Sequence, residues 1–310
     1  MKLYKTTLTL RSASASQWQA DTIFGHLCWF LVRQKGEAGL QAFLHPYEQG
    51  QPTVLVSDGF PADYLPRPQM PRKIAPTVSS KRERVERLRG AKKTARSVWL
   101  TVDDFNRVRQ GLEPVVWPSS DDLRQAIRDQ YIPKNQINRL TGTTTSESDV
   151  GQLFEQQEII LRQVSLFWKI EAPYLELVND FLSDLTSTGY GRRKSVGYGQ
   201  IQSISPLEEF QGFTAISEAN GFVTLSRFVP APNDPIDGCW QTVVKYGKLG
   251  EELAVSPNPF KRPLIQLDCG SCFYDSPPRE WYGQLIDQVS SIETVRHYAF
   301  AFAVPIKLPV

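Results

Sequence analysis

Histidine and cysteine are scarce in this chain. Three histidines and four cysteines are spread over 310 residues, too few for a disulfide framework and poor material for a metal centre. Cys269-Gly-Ser-Cys272 is a single CxxC knuckle, and Cys28, Cys239 and His297 supply no second one. No metal is therefore expected, and free thiols suit a reducing cytoplasm. The histidines are not paired either: His26 sits in an apolar helical stretch, His45 in a loop and His297 just ahead of a strand. Long hydrophobic runs are missing as well. The most apolar early stretch, Ile23 to Val32, contains Gly25 and His26 and is too short to span a bilayer. Lys2 and Lys5 flank no apolar core, so neither a secretory signal nor a membrane partner is expected. Walker A spacing and a dinucleotide fingerprint after a strand are both absent, and no cofactor is expected.

A strong charge of one sign is lacking too. The net charge of +2 is too mild to announce nucleic-acid binding, and 41% hydrophobic with 22% charged residues describes a globular protein of one large or two ordinary domains. The distribution of charge is more informative. Before Ile201 there are 27 Lys/Arg against 21 Asp/Glu, a net of +6; from Ile201 onward there are 8 against 12, a net of −4. A basic first part beside a mildly acidic second part suits two different partners.

The first part reads as strand, helix, strand, insertion, strand, helix, strand. Lys2 to Arg11 is β-rich, and Asp21 or Thr22 can cap a helix whose apolar face carries Ile23, Phe24, Leu27, Cys28, Phe30 and Leu31, with Gly36 as its stop. Pro52 to Phe60 holds a short strand, and Ile159 to Ile170 is the strongest strand candidate. Pro173 to Leu185 has helical spacing, and Gly199 to Ile204 returns as a strand. That order is the split βαβ or ferredoxin-like unit, whose open sheet face is the one RNA-recognition domains use. The insertion, residues 61–158, opens with prolines and runs into Lys81 to Arg96, where eight basic residues meet Glu83 and Glu86. It reads either as a solvated surface helix or as a phosphate-facing element. After Ile204 the pattern is β-rich (Phe213 to Ile216, Gly221 to Phe228, Cys239 to Tyr246, Leu264 to Asp268, Tyr298 to Lys307), with a short helix over Glu280 to Val289. The expected class is α+β: a first domain over 1–205 with a long insertion, and a β-rich, degenerate αβ domain over 206–310.

The stretch richest in chemistry is Gly189-Tyr-Gly-Arg-Arg-Lys-Ser-Val-Gly-Tyr-Gly199. Four glycines bracket three consecutive cations between a helix and a strand. Glycine lets backbone approach a ligand closely, Arg192, Arg193 and Lys194 supply charge for phosphate, and Tyr190 and Tyr198 can stack on bases. A second stretch, Lys134 to Thr145, offers amides and hydroxyls for ribose and phosphate, with Arg139 to pair one phosphate. A third set is Asp21-Thr-Ile-Phe-Gly-His-Leu-Cys-Trp29, Ser57-Asp-Gly-Phe-Pro61 and Leu65-Pro-Arg-Pro68.

These segments, in this order, resemble the RAMP superfamily of CRISPR proteins, and within it the family of the fourth subunit of the type III-A (Csm) effector complex. The matching motifs are the D-T-x-F-G-x-L-C-W helix, S-D-x-F-P, L-P-x-P, N-x-I-x-R-x-T over Asn135 to Thr141, the glycine loop, and a closing strand over Arg296 to Pro305. The resemblance implies two ferredoxin-like (RRM-like) domains in a non-catalytic subunit at the foot of the complex. There it would hold the repeat-derived 5′ handle of the crRNA and contact the large polymerase/cyclase-like subunit and a backbone RAMP subunit. The RNA contacts so implied are Gly189, Gly191, Arg192, Arg193, Lys194, Ser195, Gly197, Tyr198 and Gly199 in the loop, Asn135, Asn138, Arg139, Thr141 and Thr143 in the second stretch, and Asp21 and His26 in the helix. The rival reading is a guide-processing endoribonuclease of the same superfamily, with His26 as general acid or base. Against it, the processing enzymes carry their glycine loop near the C-terminus, and here about a hundred residues follow it. A target-cleaving backbone subunit would need a loop aspartate, but Asp21 reads better as a helix cap and Asp58 ends a strand.

Overall fold

The computed structural model describes residues 1–71, 80, 98–116, 118, 120–135, 137, 141–144 and 153–309. Most of the basic stretch 72–96 lies outside these residues, as do Asn138 and Arg139.

β1 (Lys2–Leu10) buries the alternate residues Thr6 and Leu8. α1 (Ala20–Glu48) turns Ile23, Phe24, Leu27, Phe30 and Leu31 inward at helical spacing. Gly36 is a bend rather than the expected end: its φ of 68° breaks the helix, and a second leg buries Phe43 and Tyr47. β2 (Val54–Val56), β3 (Phe60–Pro61) and β4 (Tyr64–Pro66) follow. β5 (Trp99–Thr101) pairs with β4 and leads into α2 (Val102–Arg109) and α3 (Ser120–Ala126). β6 (Ile127–Asn135) and β7 (Leu153–Leu161) form a long antiparallel hairpin. β8 (Gln163–Ile170) comes directly after. The single strand expected over Ile159 to Ile170 is thus two: the chain bends at exposed Arg162, because Ile159 and Leu161 pair with β6 while residues from Gln163 on pair with β1. α4 (Leu175–Thr188) follows a 3-10 turn containing Pro173 and buries Val178, Phe181, Leu182 and Leu185. β9 (Ile201–Ile204) and β10 (Glu208–Glu209) close this half.

The main sheet runs β9–β1–β8–β2, all antiparallel, with β3 added to β8 and β10 to β1. That crossing order is the one a split βαβ unit gives. α1 and α4 cover one face, where Phe181 meets Phe30 (ring centroids 6.1 Å) and Trp168 (6.4 Å). The other face is covered too. Phe167 packs on Phe210 (5.1 Å) and Phe213 (5.3 Å), and the Lys169 ammonium donates to the carbonyls of Glu280 (2.6 Å) and Ala303 (2.9 Å). Over β8, the face an RNA-recognition domain keeps open is therefore covered by the chain's own second half.

The second half holds β11 (Gly221–Thr224), β12 (Gly238–Cys239), β13 (Thr242–Lys245), β14 (Leu264–Leu267), β15 (Cys272–Tyr274), β16 (Tyr282–Ile286), β17 (His297–Ala301) and β18 (Ala303–Ile306). β12–β15–β11–β18 form one sheet, and β13–β14 and β16–β17 form separate ladders. Among the described residues of 206–309 there is no α-helix, so the helices of a second ferredoxin-like unit are missing. The helix expected over Glu280 to Val289 is strand β16, held by pairing with β17 from Tyr282↔Ala301 to Ile286↔His297. The closing strand is split at Phe302 between two sheets, and Phe213 to Ile216 is not a strand. The core crosses residue 205. The Tyr298 ring stacks on Phe24 at 4.4 Å, and its hydroxyl accepts the Val56 N–H at 3.4 Å.

Candidate nucleic-acid interface

Gly189 ends α4 at φ 69°, its N–H bonded back to the Leu185 carbonyl, a stop that only glycine makes without strain. Tyr190 then turns inward. Its buried ring stacks on Trp18, its hydroxyl donates to the Gln17 carbonyl (2.7 Å) and accepts the Gln19 N–H (3.0 Å). It is a core residue and not the base-stacking platform expected. The Tyr190 N–H meets the Gly199 carbonyl at 2.9 Å and closes the neck of the loop. Gly199 has φ 61°, and a Cβ there would lie 2.0 Å from the Tyr190 carbonyl oxygen.

Both arms of the loop are tied to α1 and the turn before it. The Gly191 N–H donates to His26 Nε2 (3.1 Å) and the Arg192 N–H to Ser16 Oγ (3.1 Å). On the return arm, the Gly199 N–H reaches the Ala13 carbonyl (2.8 Å) and the Gln200 N–H reaches Ser12 Oγ (2.9 Å). Burial, helped by the Lys194 charge, pushes the His26 pKa down to about 4. The ring is therefore neutral, and it uses Nε2 to hold the loop. Anchored this way, the loop presents Arg192, Arg193 and Ser195 to solvent. Arg193 is in the left-handed region (φ 59°), and its guanidinium lies 5.5 Å from the Phe154 ring on β7. Lys194 is engaged by the Glu251 carboxylate.

The loop and the β6–β7 hairpin form one surface. The Tyr198 hydroxyl donates to Glu158 of β7, which also takes Gln130 Nε2 (3.2 Å) and Lys134 Nζ (3.7 Å) from β6. Burial opposes the charge on Glu158, but these bonds and Lys134 hold its pKa below the usual value. Tyr198 thus joins loop to hairpin. Asn135 is the last residue of β6, opposite Leu153, so the stretch Asn135 to Thr145 begins at the far end of the hairpin. The hydroxyls of exposed Thr141 and Thr143 lie 2.9 Å apart.

Asp21 faces inward, toward the second half of the chain. Its carboxylate pairs with Lys245 of β13 (2.9 Å) and lies 3.6 Å from His297 Nε2. Burial works against its ionisation, but Lys245 and His297 outweigh it and keep the pKa below the carboxylate norm. Asp21 thus joins the two halves, and His26 holds the loop from α1. Asp21 is not the helix cap. The Ala20 N–H donates to Asp58 Oδ1 (2.8 Å), so the cap comes from the end of β2. Burial raises the Asp58 carboxyl to about 7, with Arg227 opposing. Cys269 and Cys272 are protonated thiols pushed up by burial, and no three metal-ligating side chains cluster among the described residues.

No protein-family model matches the chain, and no curated protein does. Solved structures do. A chain of the Csm1–Csm4 cassette in complex with pppApA is 17% identical over 99% of both chains, with a TM-score of 0.63. The same cassette with cA4 gives 18%, 99% of both chains and 0.62. The Csm3–Csm4 subcomplex of the type III-A CRISPR-Cas interference complex gives 11% over 95% of this chain and 98% of that one, with 0.60. The chain therefore has the fold of the matched chains in these type III-A CRISPR assemblies. The subunit those two assemblies share is Csm4, and its fold extends over nearly all of this chain.

Proposed function

We propose that this chain is a non-catalytic subunit of a type III CRISPR effector complex that binds the 5′ handle of the crRNA and docks the large polymerase/cyclase-like subunit and a backbone RAMP subunit. The observation that carries the RNA half of this reading is the exposure of Arg192 and Arg193 on a loop whose backbone is fixed by core contacts. Preorganised guanidinium groups lose little entropy on gripping phosphate. The hairpin beside them adds Lys134, Arg128 and the exposed ring of Phe154 on the face that meets the loop, a combination that suits single-stranded RNA.

The docking half rests on the β13–β14 ladder. Val244 and Ile265 are direct cross-strand neighbours with their side chains in solvent, and Tyr246 and Phe260 extend the patch at 76% and 61% exposure. An exposed apolar surface of this kind marks a protein interface. The relatives in which the same fold is found were solved with Csm1 or Csm3, and we assign this face to the large subunit.

A processing nuclease would need His26 free to move a proton, and its Nε2 is already taken by the Gly191 N–H. His297 is buried against Gln266 and Asp21, so it is engaged as well. The test is the Arg192→Ala, Arg193→Ala double variant of the full chain, titrated against RNA carrying the repeat-derived 5′ end. Loss of two charged contacts should weaken binding roughly tenfold or more and flatten the salt dependence by roughly 1.4 in log–log slope. Unchanged affinity in a folded variant removes the loop from the RNA site.

A further inference from the structure

Of the three consecutive cations in the glycine loop, one is already occupied. Lys194 Nζ is held by the carboxylate of Glu251, which reaches it from the second half of the chain. Glu251 opens a 3-10 turn over Glu251–Val255 with φ 48°. That is a left-handed backbone which a residue with a Cβ adopts at a cost, and such strain persists where the surrounding contacts require it.

The other charges bearing on this carboxylate have their own arrangements. Arg33 is paired with Asp184 at 2.7 Å, and His26 is neutral because burial takes its pKa to about 4. Lys194 is thus the cation that Glu251 neutralises, and the hydrogen bond from Lys194 holds the Glu251 pKa below the carboxylate norm. The two side chains keep 25% and 30% of their surface in solvent, so an anion arriving from outside can reach the same ammonium without unfolding the loop. Arg192 and Arg193, the residues just before, are exposed and already face that solvent.

We propose that Glu251 is an internal stand-in for an RNA phosphate. It neutralises Lys194 while the loop is empty and is displaced when the RNA backbone binds. The ammonium–carboxylate contact breaks, an ammonium–phosphate contact forms, and the freed carboxylate returns to water. Glu251 therefore sets the affinity of the loop by competing with the ligand. This rests on the loop being the RNA site.

The experiment titrates the full chain with handle RNA, comparing wild type, Glu251→Gln, Glu251→Ala, Lys194→Ala, the Glu251→Gln, Lys194→Ala pair, and the Arg192→Ala, Arg193→Ala pair. Removing an exposed competing carboxylate should tighten binding roughly two- to fivefold, with the number of phosphates contacted, and so the salt slope, little changed. The alanine variant should show the same direction, which covers the case in which the glutamine variant fails to fold. The gain should vanish in the Lys194→Ala background. Weaker or unchanged binding by both Glu251 variants, with the double arginine variant still impaired, overturns the stand-in and leaves the loop as the RNA site. An equal gain with Lys194 absent also overturns it, because net charge alone would then be responsible. Unimpaired binding by the double arginine variant removes both readings.

Discussion

The ring of Tyr190 lies flat on that of Trp18, with centroids 3.8 Å apart and planes 11° from parallel. A glycine-loop residue is thus part of the hydrophobic core, and the loop's neck inherits the rigidity of that core. Tyr190→Phe keeps the stack and removes the hydroxyl that joins Gln17 and Gln19, and should cost about 1–3 kcal/mol of stability. Tyr190→Ala leaves a cavity as well and should cost about 3–5 kcal/mol. Denaturant unfolding of the two variants checks the order and the gap.

Two glycines of one motif should respond differently to alanine. At Gly197, φ is 95° and no atom lies within 4 Å of an added Cβ, so only the backbone penalty of about 1–2 kcal/mol applies. At Gly199 the same penalty is joined by a 2.0 Å approach to the Tyr190 carbonyl, which neither backbone can relieve without opening the neck. Gly199→Ala should melt far below Gly197→Ala. Equal melting temperatures would show that the neck is not closed as described.

Acid should loosen the loop through His26. Its folded pKa of about 4 lies below the ordinary histidine value of 6.5, so between those values the unfolded chain binds the proton and the folded chain does not. Stability therefore falls as pH drops from about 6.5 toward 4, and this contribution is constant above and below that window. Protonation also removes the lone pair that accepts the Gly191 N–H. His26→Gln retains an acceptor without titrating, and its unfolding free energy should depend less on pH across that window than the wild type's. An unchanged pH profile would contradict the assignment.

The exposed β13–β14 face should be needed for assembly and not for folding. Val244→Glu with Ile265→Glu places like charges on two cross-strand neighbours already in solvent. The variant should fold, bind handle RNA as the wild type does, and lose co-purification of the large subunit. Retained co-purification would move the docking face elsewhere.

The first half was legible because its signals are local. Leu8, the Ile23-to-Leu31 face and the Val178-to-Leu185 face have the right periods, and Gly189 and Gly36 mark turns. The long-range relationships were not legible. Asp58 caps α1 from 38 residues away, a pairing no local pattern encodes, so the nearby Asp21 was the natural choice. The run from Ile159 to Ile170 is mostly apolar and β-prone on both sides of Arg162, and the bend there follows from two different pairing partners. Covering of the sheet's second face by Phe210, Phe213 and the C-terminal strands is likewise a tertiary outcome. Of the loop's supports, Ser12 and Ser16 had a faint signal in the Ser-Ala-Ser-Ala-Ser run, while nothing local singles out Glu158 or Glu251.

The most direct test of the handle-binding assignment is to purify the chain with its neighbouring subunits, cross-link, and sequence the RNA attached to this subunit. Short RNAs sharing one repeat-derived 5′ end, with cross-links at the Gly189–Gly199 loop, are the predicted result. RNA with heterogeneous ends and no partner proteins would contradict it and would point to a stand-alone nuclease or a general RNA binder.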